Sequence, residues 1–392
     1  MKQIKCLTSL RFFAAAMIVV FHSVNAFRIW DNSKIPFPLA QGVSFFFVLS
    51  GFILTYVYPS LSGGHRIRAF YVARIARIWP THFVAFLFLL CLIPAGGWVW
   101  NGAWEVAAAN LFLVHGWIPS ASYYFSFNGV SWSISTEAFF YLAFPFLICR
   151  LDRSWWWKLP GTAAFVVVML LLTNSLKLPA YDPANLSALT TEGLVCVSPL
   201  VRILEFVFGM AVACLCLRWR ELKIVTLSPV WLWTVFELSA LTITLLSGLY
   251  GPRLLRSLID GRSQYAFAVY AGACGSFPAF GLLIGVLAFE RGLVSRFLSA
   301  GWLVILGEIS YSIYLVHQIL IRWYLLNRSM FASVPKTMLY IGYWIAVLSL
   351  SFIIWRVVEK TCRRWIRSFL GSKRDAVPIT VSVPVSDGVK TG

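Results

Sequence analysis

Charge is what this chain has least of, and what it has is lopsided. Of 392 residues, 12% are charged, and 33 Lys and Arg stand against only 15 Asp and Glu. There are five histidines, and the eight cysteines (Cys6, Cys91, Cys149, Cys196, Cys214, Cys216, Cys274, Cys362) have neither metal-ligand spacing nor the pattern of a disulfide framework. That spacing excludes a zinc module and a stapled secreted domain, and leaves the cysteines as small apolar packing residues. No soluble domain is present to gather the net charge of +18 into a patch, so nucleic acid is not an expected partner. Residues 94 to 131 contain no Lys or Arg at all, and no internal repeat of the kind common in transporters is visible.

Apolar residues fill the space that charge leaves. They make up 59% of the chain, aromatics 17%, and the mean hydropathy is +0.78. That balance excludes a soluble globular fold and requires a polytopic membrane protein. The apolar runs are about 20 residues long rather than alternating ten-residue strands, so the spans are helices whose backbone groups satisfy one another. The fold class expected is an all-α integral membrane protein of about ten transmembrane helices: Leu10–Ile29, Gly42–Tyr58, about Ile78–Ile93, Trp132–Ile148, Gly161–Leu176, Leu200–Leu217, Pro229–Tyr250, Tyr265–Phe289, Trp302–Ile321 and Thr337–Trp355. Between the third and fourth, Ala103 to Trp117 is too short and broken for a span and reads as an interfacial or re-entrant helix. Met1 to Lys5 and the run after it resemble a signal peptide, but Arg11 interrupts the run and no small-residue cleavage site follows, so this is read as a retained first span. Lys and Arg concentrate in the loops that place the N- and C-termini in the cytoplasm, although the 251–263 and 322–336 loops are basic for an outer location. The membrane domain is expected to cover 1–358, followed by a basic, then Pro/Val/Ser-rich cytoplasmic tail at 359–392, disordered from about 371.

Polar groups inside such spans are costly, so each asks for a partner or a task. Arg11 and His22 lie about three helical turns and 16 Å apart on one face of the first span, which puts the guanidinium at one membrane surface and the imidazole near mid-bilayer. Such a ring serves a pathway or a site, or hydrogen-bonds to a neighbouring helix. Arg74 and Arg77, which with Pro80 open the third span and lie three residues apart on one helical face, form a fork for a phosphate or are ordinary inner-face anchors. Small residues among aromatics in Gly42–Phe52 suit close helix packing. Glu137 enters an apolar run one turn before Tyr141, close after Trp132 and Ser133; it is either functional or paired with Arg11 or Arg202. Arg202 and Glu205 read as a structural ion pair. Ser310, Tyr314 and His317 form one stripe, with Tyr311 beside it, pointing to a polar cavity. His65, His82 and His115 read as interfacial or packed.

Taken together, these blocks resemble the acyltransferase-3 family of bacterial membrane O-acyltransferases. The resemblance rests on Arg11-x10-His22, on Gly42 to Phe52, on Arg74-x-x-Arg77-x-x-Pro80, on Trp132-Ser133-x-x-x-Glu137 with Phe140-Tyr141 and Pro145, on Arg202-x-x-Glu205-Phe206-x-x-Gly209, and on Gly307-x-x-Ser310-Tyr311-x-x-Tyr314-Leu315-x-His317. It implies an acyltransferase of the bacterial inner membrane that takes an acyl group, acetyl, from cytoplasmic acyl-CoA and passes it to a hydroxyl of a carbohydrate or glycolipid acceptor, working alone or with glycan-assembly partners. Acyl-CoA is then a co-substrate, and neither a bound cofactor nor a metal is expected. On that reading Arg11, Arg74 and Arg77 hold the donor, and His22 is the base, with Glu137 as the natural group to orient its second nitrogen. Tyr311, Tyr314 or a main-chain amide steadies the oxyanion; Trp132, Ser133, Tyr141, Ser310 and His317 support the cavity. An acyl-histidine relay is the alternative route. Two departures stand out. Many relatives carry Glu-x-Pro near the end where this chain has Glu359-Lys360-Thr361, so that end receives no functional weight, and no serine-esterase-like domain follows the last span. Competing classes are a transporter or flippase of lipid-linked sugar, with His22, Glu137 and His317 along its path, and a scaffold subunit of an export complex, which leaves the polar stripe unexplained.

Overall fold

The computed structural model describes residues 3–31, 38–98, 102–220, 222, 227–258, 265–362 and 364–365. The expected disordered tail from about 371 lies outside them, as does part of the 251–263 loop. Fourteen helices carry the described chain: α1 Lys5–Ala26, α2 Gly42–Val57, α3 Gly64–Leu92, α4 Trp104–Leu111, α5 Ala121–Tyr124, α6 Trp132–Ile148, α7 Leu151–Ser175, α8 Pro199–Trp219, α9 Val230–Leu258, α10 Tyr265–Cys274, α11 Phe277–Leu287, α12 Leu293–Leu298, α13 Gly301–Leu326 and α14 Lys336–Ile354. Among the described residues nine helical stretches are long and apolar enough to cross a membrane. The remaining expected span is α6, whose 17 residues make it shorter than the rest. The architecture is an all-α multi-pass membrane bundle.

Three helices differ from their apolar runs in ways that matter for the site. α1 starts at Lys5 and ends at Ala26, so His22 lies in its last turn and a half, nearer the helix end than the mid-bilayer position expected. α3 begins at Gly64, well before Ile78, so Arg74 and Arg77 stand inside a continuous helix rather than at its start. The eighth span is not continuous: α10 stops at Cys274 and α11 resumes at Phe277, with Pro278 in its first turn unable to donate a backbone bond. The buried Gln41 side chain fills that break, donating through Nε2 to Gly272 O (3.0 Å) and accepting from Ser276 N (3.1 Å). A polar backbone gap inside the membrane is thereby satisfied by protein.

Close backbone approach holds the bundle together. α2 packs on α8, and α1 on α13, as the two most extensive helix pairs. Gly51 and Gly209 face each other across the first pair: a Cβ on Gly51 would overlap Phe206 O, and one on Gly209 would overlap Val48 O. Gly307 does the same across the second pair, against Thr8 O. Small residues at helix interfaces bring the backbones near enough for dispersion to replace the hydrophobic drive that lipid removes. Between α2, α3, α6 and α8 runs an aromatic column, in which Phe47 meets Phe140 edge-on at 5.0 Å, Phe140 stacks on Phe206 at 4.8 Å and Phe70 on Phe144 at 5.2 Å.

Two cavities joined at Tyr314: the candidate active site

The first cavity, about 420 Å³, opens among the start of α1, the end of α2, α3, α6 and the start of α13. Arg11, Arg74 and Arg77 line it, together with Glu137, Tyr141, Glu308 and Tyr311. The Arg74 guanidinium lies 5.7–5.8 Å from the ring centres of Phe70, Tyr58 and Tyr141, a setting that supports a cation without neutralising it. Glu137 Oε1 accepts from Tyr141 OH (2.5 Å) and Ser50 Oγ (3.3 Å). A further carboxylate lies behind this wall, brought there from the far end of the chain. Glu359, buried at the close of a π-turn spanning Trp355–Glu359, acts electrostatically on Arg77 and Tyr311.

The second cavity, about 360 Å³, lies toward the opposite ends of α1, α2, α6 and α13: Ile18, Phe21 and His22 from α1, Ala40 and Val43 at the start of α2, Gly129, Val130 and Trp132 leading into α6, and Gln318 and Arg322 on α13. Here His22 Nδ1 is 3.0 Å from His317 Nε2, with the rings stacked at 5.2 Å and 20°. His317 Nδ1 is 3.3 Å from Ile313 O, one turn back on α13. A carbonyl only accepts, so His317 carries its proton on Nδ1 and offers the Nε2 lone pair. His22 must then donate from Nδ1, which leaves its Nε2 unprotonated, the form a general base requires. Tyr343 OH, donating to His317 O (3.3 Å), fixes the α13 backbone at this point. Glu192 faces the same cavity from just before a π-helical segment, Gly193–Val197; burial pushes its carboxyl above its ordinary value.

Tyr314 and Val43 line both cavities and so form the wall between them. Tyr314 OH lies 3.0 Å from Val130 O and 2.7 Å from Ser133 Oγ, and Ser133 Oγ also reaches Val130 O at 3.0 Å. Two hydroxyl protons and one carbonyl close this triangle, and neither proton is left for a third acceptor. Tyr311 OH is likewise spent on Ile78 O at 2.8 Å.

The expected residues therefore divide between two places. Arg11, Arg74, Arg77, Glu137, Tyr141, Ser133 and Tyr311 meet in the arginine cavity, while His22 and Trp132 face the histidine cavity, with His317 buried behind His22. The expected contact of Glu137 with His22 is not formed: the carboxylate sits in the other cavity and His317 takes the imidazole nitrogen. Ser310 does not reach either cavity, because its hydroxyl donates to Gly307 O within its own helix (2.8 Å). Arg202 and Glu205 form the expected buried pair, Nε to Oε2 2.7 Å at 2% and 0% exposure, with Ser44 donating to Glu205 and Phe47 4.9 Å from the guanidinium. That arrangement satisfies both charges at depth, which is what a structural pair needs. His82 and His115 are packed, against Asn110 O and Ser131 Oγ. Gln318, Arg322, Glu192 and Glu308 were not anticipated, and Glu359 belongs to an end of the chain to which the sequence assigns no functional weight. A signal for the first two was present, since Tyr314, Gln318 and Arg322 continue the α13 stripe at four-residue steps.

The family model of an acyltransferase domain matches residues 4–356. Acyltransferase MdmB of Streptomyces mycarofaciens is 32% identical over 341 residues, covering 81% of this chain and 79% of that protein. Nodulation protein 10 of Rhizobium leguminosarum bv. viciae is 31% identical over 181 residues, 41% of this chain and 48% of that protein. No solved structure matches the chain. The matched region contains the histidine cavity, the wall and all of the arginine cavity but Gln3, and the chain belongs to the acyltransferase-3 family of membrane acyltransferases.

Proposed function

We propose that the protein takes an acyl group, acetyl, from acyl-CoA at the cytoplasmic face of a bacterial inner membrane and transfers it to a hydroxyl of a carbohydrate acceptor, in an exopolysaccharide, O-antigen or lipo-oligosaccharide, that enters from the outer side. One observation carries this reading: a single helix, α1, brings Arg11 into one cavity and His22 into the other, with Val43 and Tyr314 as the wall between the two. The arginine cavity opens on the side where Lys5, Arg66, Arg68, Arg150, Arg153, Arg218 and Arg220 cluster at helix ends, which favours the cytoplasm for that side and for both termini. Arg11, Arg74 and Arg77 suit the phosphates of the donor, and the thioester arm then extends past Tyr314 toward His22. His22 Nε2 accepts the proton of the acceptor hydroxyl as its oxygen bonds to the thioester carbonyl carbon. The C–S bond breaks, and the proton passes to the departing CoA sulfur.

The test is purified protein in nanodiscs with radiolabelled acetyl-CoA and candidate glycans. Transfer should fall about 10²–10⁴-fold in His22→Ala with donor binding retained, whereas Arg77→Ala should weaken acetyl-CoA binding. Near wild-type transfer by His22→Ala would sink the mechanism, and movement of lipid-linked sugar across the bilayer without consumption of any thioester would replace the enzyme reading with a transporter.

A further inference from the structure

If the two cavities work as proposed, attack on the thioester places a negative charge on the carbonyl oxygen beside His22, and fixed donors must meet it. The obvious groups are already committed. Tyr311 donates to Ile78 O, the protons of Tyr314 and Ser133 are used on each other and on Val130 O, and Arg202 is locked to Glu205. Among the described residues one further cation lines the histidine cavity, Arg322.

We infer that Arg322 is that donor, a catalytic residue whose guanidinium holds the oxyanion of the tetrahedral intermediate. It shares the cavity with His22 and is near enough for its charge to act on the imidazole. Its Nη1 donates to Phe127 O (2.5 Å) and Gly97 O (3.3 Å), which pins the planar fork and leaves N–H groups on Nη2 and Nε. Nη2 passes over Gly129, where a Cβ would lie only 3.0 Å from it and from Gln318 Oε1; the glycine makes room for both polar groups. The carbonyl that anchors the fork belongs to a residue held at φ +54°, an uncommon conformation for phenylalanine. Backbone held in that region against its preference tends to mark functional positions. A guanidinium stays protonated throughout the cycle, so it offers the same donors to thioester and intermediate and needs no reorganisation. In the full step the acceptor O–H proton moves to His22 Nε2, the new C–O bond forms, and the carbonyl π pair settles on the oxygen held by Arg322. That pair then re-forms the carbonyl as the C–S bond breaks, and the CoA sulfur leaves with the proton from His22.

The test separates a donor to the oxyanion from a strut between loops. Acetyl-CoA labelled with ¹³C at the carbonyl is bound to His22→Ala protein in nanodiscs, where it persists. A polarising fork moves the carbonyl resonance downfield of free acetyl-CoA, and the shift should vanish in His22→Ala/Arg322→Gln while binding persists. In the otherwise wild-type protein Arg322→Gln should lower CoA release at saturating acetyl-CoA by about 10²–10³-fold with little change in donor KM; Arg322→Ala should regain part of that rate with added guanidinium ion. An unchanged carbonyl resonance on removal of Arg322 overturns the inference, as does a rate that survives Arg322→Gln while depending on His22. Failure of the wild type to bind or consume acetyl-CoA would instead remove the reading on which it rests. Arg322→Lys keeps the charge and guards against a glutamine variant that does not fold.

Discussion

The arginine cavity and the histidine cavity share a wall but hold their polar groups in opposite ways. On the arginine side the cation is cushioned: Arg74 lies over three aromatic rings, and the nearby Glu137 is occupied by Tyr141 and Ser50. On the histidine side the polar groups are tied to backbone carbonyls, His317 to Ile313 O and Arg322 to Phe127 O and Gly97 O, so that proton positions and ring planes are determined. The first arrangement suits a charged ligand that must arrive and leave. The second suits chemistry that needs one tautomer and one orientation. Changes in the first should act on the donor's KM and changes in the second on kcat, and each prediction below can break that separation.

The largest expected effect after loss of His22 itself comes from its partner. His317→Ala removes the acceptor that keeps the His22 proton on Nδ1, so the ring is free to adopt the tautomer that cannot serve as base. We expect kcat to fall by about 10²–10⁴-fold with donor KM unchanged. His317→Gln, whose amide oxygen can accept from His22 Nδ1, should recover much of that loss, which a purely structural role would not predict. A rise in donor KM in either variant would mean that the histidine side also holds CoA, and the contrast between the cavities would fail.

A smaller change is expected from Arg74→Gln: acetyl-CoA KM about tenfold higher at low salt, the size of one charge-assisted hydrogen bond, with kcat retained. The difference from wild type should shrink as ionic strength rises, because added salt screens phosphate contacts that are open to solvent. An effect that ignores salt would assign Arg74 to packing against Tyr58 and Phe70 instead.

Much of this arrangement was legible in the chain because it depends on local spacing. The eleven residues from Arg11 to His22 keep both on one side of α1 and deliver them to different cavities, and Arg202 and Glu205 pair across one turn as their i, i+3 spacing dictates. What could not be read is what depends on encounters between distant segments or on irregular helix. His22 and His317 meet from positions 295 residues apart in the chain, so the stripe on α13 suggested a cavity but not which residue it served. Glu137, with an equally good claim to His22 by type, was placed in the other cavity by the opposite direction of α6. Both unexpected acids that flank π-helical turns, Glu192 and Glu359, are positioned by an extra residue in the turn, which rotates the face that a regular 3.6-residue count assigns.

Glu359 gives the finest probe of the contrast, because it lies behind the donor cavity rather than on its wall. Its helix continues from α14 through the π-turn to Cys362, and the carboxylate is buried at 2% exposure where its charge acts on Arg77. A negative charge there opposes the positive potential that Arg11, Arg74 and Arg77 present to phosphate. Glu359→Gln keeps the shape and removes the charge, so acetyl-CoA KM should fall by about two- to threefold at low salt, with the gain lost at high salt and kcat unchanged. The opposite sign, a KM that rises in Glu359→Gln as it does in Arg77→Ala, would show that the carboxylate serves to aim Arg77 rather than to temper its charge. An effect on kcat alone would place this last turn of helix in communication with His22, on the far side of Tyr314.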